Sequence, residues 1–142
     1  MKKITLVLAA LVLSGCETPR VSQEEASSVN YGPAPVHWQE EVRGYLGLRL
    51  RDPKTALVEF RTEPKKMYQR GVALDAAQFG WAVCVWVNDK NREGAYQGFK
   101  PMTFFIRNEK IVAANNDPDN SGPLYTEYAR RQCAELGAPF RE

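Results

Sequence analysis

The thiols come first among the side chains able to do chemistry. Cys16 follows two small residues in Leu13-Ser14-Gly15-Cys16, a stretch that fits a narrow peptidase cleft and leaves a thiol for acylation. Cys84 and Cys133 are the only other cysteines. An even pair allows one connectivity, and an oxidising compartment would close it as a disulfide. The remaining chemistry is sparse. His37 is the one histidine, and a Cys–His nucleophile would need a free thiol beside it. Zinc lacks ligands, and neither a phosphate loop nor a nucleophile elbow is present. Asp117-Pro118-Asp119-Asn120-Ser121-Gly122 opens like a calcium loop, but Tyr128 stands where a bidentate glutamate belongs. It reads instead as a polar turn whose Asn120 or Ser121 caps a helix. No catalytic residue, metal or cofactor is expected.

The elements around Cys16 decide its meaning. Met1-Lys2-Lys3 is basic, and Ile4 to Leu13 is apolar apart from Thr5. A charged start, a brief apolar core and small residues before a cut describe a secretory signal. Ten residues of helix span about 15 Å, half of a ~30 Å hydrocarbon core, so the run is too short to cross a membrane. The tetrad resembles a bacterial lipobox, which implies cleavage before Cys16 and its diacylation and N-acylation. Each buried methylene contributes ~0.8 kcal/mol, so two or three chains give a lasting membrane anchor. The resulting expectation is a periplasmic, lipid-anchored protein. Glu17, where enterobacterial inner-membrane lipoproteins carry aspartate, favours the outer over the inner membrane.

Cleavage also resets the charge. The chain has 19 Lys+Arg against 17 Asp+Glu, and Lys2 and Lys3 leave with residues 1–15, which makes the balance even. A neutral body with interspersed charges has no field to gather nucleic acid. Residues 16–36 are polar and end in Gly32, Pro33 and Pro35, as a flexible tether would. Residues 37–142 then make a single globular domain, thin enough in its core to gain from a Cys84–Cys133 staple.

Periodicity supplies the architecture. Trp38, Val42, Tyr45, Leu46 and Leu50 predict an amphipathic helix over 37–50, ended by Asp52-Pro53. Leu57 to Thr62 alternates as a half-buried strand, with 70–75 a plausible short partner. Phe79 to Val87 is apolar on both faces, as in a central strand covered on each side. Phe99–Arg107 and Lys110–Ala114 predict a hairpin about Asn108-Glu109. A last helix, Pro123 to Leu136, carries Tyr128, Ala129, Gln132 and Cys133 on one stripe and ends at Gly137. The fold class is α+β: an antiparallel sheet of four to five strands flanked by an N-terminal and a C-terminal helix.

Between the central strands lies the most distinctive stretch, Asn88 to Gly98. Ten residues, 89–98, exceed the two to five of most hairpin connections. Asparagine and glycine permit left-handed backbone, and Asn side chains can bond nearby backbone groups. Asn88, Lys90, Asn91 and Tyr96 are thus either shapers of the loop or a surface offered to a partner protein or glycan. Asp52-Pro53-Lys54-Thr55-Ala56, followed by Cys84-Val85-Trp86-Val87-Asn88 and by Lys90-Asn91 with Gly94, Tyr96 and Gly98, resembles a family of short bacterial secreted proteins and lipoproteins without an assigned activity. It departs from that pattern at Asp89, Thr55 and Leu57-Val58. The sequence reads as a noncatalytic envelope lipoprotein that binds an envelope protein or peptidoglycan. The alternative is an envelope hydrolase or transferase sited near 88–98, which would need a carboxylate such as Glu59 or Asp75 beside Lys90 and Tyr96.

Overall fold

A strand apolar on both faces must be covered on both, and the whole molecule is arranged around one such strand. A computed structural model describes residues 23–142; Cys16, with the expected signal segment and acylation site, lies outside the described residues. The elements are α1 (Gln23–Ser28), α2 (Trp38–Arg49), β1 (Leu57–Phe60), β2 (Lys65–Gln69), β3 (Gln78–Asn88), β4 (Lys100–Arg107), β5 (Lys110–Asn115) and α3 (Pro123–Glu135). All five strands pair antiparallel; four follow the order β1-β3-β4-β5, and β2 pairs with β3 beside that path. The long β3 carries two short partners along one edge, β1 against Val85–Asn88 and β2 against Gln78–Ala82. This is the expected α+β architecture.

The two-residue period of the strands sorts the core into two layers. Val83, Val85 and Val87 of β3 join Met102, Phe104 and Ile106 of β4 on one face, where Trp38, Val42 and Leu46 of α2 cover them. Ala82, Cys84 and Phe105 point to the other face and meet Cys133 of α3 and Leu136 just beyond it. Cys84 and Cys133 are bonded there, so a disulfide ties the sheet to the helix laid over it across a sequence separation of 49.

Several expectations are corrected. The partner strand is Lys65–Gln69, and 70–77 is the β2–β3 connection, with Leu74 fully exposed. An edge strand keeps its lysines in water, and Met67 supplies its contact with the core below α3. Helix α3 is preceded by Gly122 at φ 119° with no side-chain cap; neither Asn120 nor Ser121 fills that role. Pro123 begins the helix at a position where a missing N–H costs nothing.

The described part of the expected 16–36 tether is bound to the body rather than loose. Tyr31 is buried, donates its hydroxyl to the Ala26 carbonyl and stands edge-on to Phe79. The Trp81 indole N–H donates to the Gly32 carbonyl, and the Val36 and His37 N–H groups donate to the Glu109 carboxylate. Glu109 sits in the β4–β5 turn, where it and Asn108 both adopt positive φ (63° and 50°), as two-residue hairpin turns require. The two backbone donors hold its carboxyl below the usual carboxylate range. A group whose pKa is lower folded than unfolded adds stability above its unfolded pKa and loses it as pH falls through the folded one. Acidification through that range is therefore expected to lower the protection of the Val36 and His37 amides, measured against the intrinsic exchange rate at each pH, before the sheet opens. Glu109→Gln should abolish this pH-dependent step.

Helix α2 contains two interior glycines for which the fold gives no steric reason. A Cβ at Gly44 or Gly47 would meet nothing within 4 Å. Each costs ~1 kcal/mol of helix stability against alanine. Gly47→Ala is expected to raise the unfolding free energy by roughly that amount, read from the denaturant midpoint.

Candidate functional site

The sequence put its candidate residues on the β3–β4 connection, and the backbone there is self-contained. Lys90 and Tyr96 form an antiparallel bridge that closes a small hairpin. Asn91 shapes its tip: the side-chain oxygen accepts from the Glu93 and Ala95 N–H groups, while the Asn91 N–H donates to the Ala95 carbonyl. Asn88 closes the base by accepting from the Gly98 N–H at 2.9 Å. Gly94 and Gly98 hold φ of 80° and 94°, which side chains rarely allow. Two of the four candidates thus spend their amide oxygens on the loop's own shape.

Lys90 and Tyr96 face outward together. The ammonium of Lys90 lies 5.2 Å from the centre of the Tyr96 ring, itself about half exposed, and the Tyr96 hydroxyl donates to the Thr55 carbonyl at 2.8 Å. That bond pins the loop to the turn that follows α2. The turn is built by Asp52, which accepts from the Thr55 N–H and hydroxyl.

Beside Thr55 a groove of about 300 Å³ opens between α2 and β1. Leu46, Leu50, Ala56 and Val58 line its apolar part, and the cations Arg43 and Lys54 border it. Gly47 forms part of its wall. Sequence reasoning missed this groove because its two sides come from separate elements that only tertiary packing brings together. The open glycines in an otherwise regular helix were the one available signal.

The other candidates are held in structural roles. Cys84 and Cys133 are fully buried and bonded to each other. His37 sits exposed at the start of α2 with its Nδ1 3.6 Å from Glu40. Asp117 is buried and accepts from the Tyr45 hydroxyl and the Asn120 N–H. Burial and then that bond push the Tyr45 hydroxyl well above its ordinary range, and the Arg49 guanidinium lies over the ring while pairing with Asp119. No group of three His, Cys, Asp or Glu is placed to hold a metal among the described residues. Glu59 is paired with Arg61, and Asp75 lies in the β2–β3 connection, where its N–H donates to Val72.

No family model, no curated protein and no solved structure matches this chain. Its own residues and their geometry therefore bear the functional reading.

Proposed function

We propose that this chain is a lipid-anchored protein of the bacterial envelope that acts by binding a partner rather than by catalysis. The observation that carries it is a disulfide-stapled body behind a Leu13-Ser14-Gly15-Cys16 tetrad. Persistent structural disulfides belong to oxidising compartments, and the short basic and apolar start is the address that leads there. Cys16 is the anchor, the compartment is the periplasm, and Glu17 favours the outer membrane.

The partner is an envelope protein or a cell-wall component. A shaped loop that holds Tyr96 half exposed suits recognition, since tyrosine is enriched at protein interfaces. A hydrolase or transferase at the same place would need a carboxylate beside Lys90 and Tyr96, and Glu59 is already engaged by Arg61. Metabolic labelling with radioactive palmitate tests the anchor. The wild type should take up label and Cys16→Ser should not; an unlabelled wild type would overturn the proposal.

A further inference from the structure

We infer that the groove between α2 and β1 is the docking site for an acidic, apolar segment of a partner protein. The inference deepens the binding role proposed above and rests on it for the partner's setting, but its chemistry comes from the groove alone.

The groove offers an apolar surface for a leucine-sized side chain, with Arg43 and Lys54 at its border. Arg51 is also exposed, in the turn between α2 and Lys54. None of these three cations makes an ion pair among the described residues. Arg43 is instead steadied by the Phe60 ring, 4.9 Å from its guanidinium carbon. Arg43 and Lys54, without ion pairs among the described residues, border an apolar concavity and so complement a segment that alternates carboxylates with apolar side chains. A flat anionic membrane would match the charge but not the concavity.

A further observation marks the same place. Gly47, part of the groove wall, leaves open space where a side chain would stand, at a cost in helix stability that the isolated fold does not return. A partner backbone lying close along α2 gives that space a use. On the far side the Tyr96 hydroxyl holds Thr55, between Lys54 and Ala56, so the 88–98 loop braces the groove wall.

The probe is a dye-labelled peptide, Glu-Leu-Glu-Leu-Glu with blocked ends, titrated by fluorescence anisotropy into the full-length protein in neutral detergent micelles. Saturable binding is expected. The Arg43→Glu/Lys54→Glu pair should weaken it about tenfold, from the loss of two exposed charge pairs. Gly47→Leu should block it, and Gly47→Ala should bind more weakly while unfolding at a higher denaturant concentration, a combination that mere loss of structure cannot produce. Equal binding of a Lys-Leu-Lys-Leu-Lys peptide, or binding indifferent to all these variants, would overturn the inference. So would anionic phosphatidylglycerol vesicles that bind through Arg43 and Lys54 when the peptide does not. Self-association abolished by Leu74→Ser would overturn it too, by giving the groove to a second copy's exposed Leu74-Asp75 tip. Any of these results, with palmitate label still on Cys16, would leave the anchored-protein reading intact.

Discussion

Replacing Cys84 and Cys133 together by alanine is expected to lower the unfolding free energy by ~4 kcal/mol, the chain-entropy value for a loop of this length. The bond spans a sequence separation of 49 and cross-links the side chains of α3 and the sheet. Both sulfurs are fully buried beside Ala82, Phe105 and Leu136, so alanine also leaves small voids rather than unpaired polar groups. Domains of this size are stable by only about 5–15 kcal/mol, which makes the loss a large fraction of the whole. Urea unfolding with and without reductant checks it on the unmodified protein. The midpoint of the wild type should fall on reduction towards that of the double variant, and an unchanged midpoint would show that the staple contributes nothing.

Gln132→Ala is expected to cost ~3 kcal/mol, because it strips an acceptor from two buried donors. Gln132 projects from α3 into the same face of the sheet, where its side-chain oxygen accepts from the Thr103 hydroxyl and from the Asn115 amide. Asn115 in turn exchanges amide hydrogen bonds with Gln78 at 2.8 and 3.1 Å. Thr103 and Asn115 are completely buried, so water cannot replace the lost partner. A networked site predicts strong non-additivity. Thr103→Val combined with Gln132→Leu should cost less than the two single changes summed, since the pair removes donor and acceptor together. Simple additivity in chemical denaturation would argue that the three side chains act independently.

These two sites also show what could be read from residues alone. The apolar faces of Phe79–Val87 and the stripe of α3 each placed a cysteine inward, and joining them needed no more than the presence of one pair. The polar network was half visible: Thr103 interrupts an apolar strand and Gln132 an apolar helix stripe. Their meeting depends on the pairing of Cys84 with Thr103 and on Thr103 opposing Asn115, which local pattern does not encode. Strand β2 was missed for a different reason. Its Lys65-Lys66 start looks like a solvated run, and an edge strand leaves such side chains in water. The docking of 30–37 escaped because Tyr31 and Pro35 are too few to make a period, and Glu109, which holds Val36 and His37, is more than seventy residues away.

The candidate site divides similarly. Asn88, Asn91, Gly94 and Gly98 were recognisable as loop-forming residues, and their bonds are short-range. The Tyr96–Thr55 bond crosses 41 residues, and the groove beside it joins α2 to β1. What the residues did offer was a conflict, two unexplained glycines in a helix with an apolar stripe. Such departures from local consistency are where functional surfaces are to be sought.

Intact-mass spectrometry of the protein extracted from the cell envelope, with and without reduction before thiol alkylation, tests the central claim most directly. The account predicts loss of residues 1–15, acyl mass on Cys16, and alkylation of Cys84 and Cys133 only after reduction. A chain that keeps its first fifteen residues, carries no acyl mass and alkylates all three thiols without reductant would contradict it.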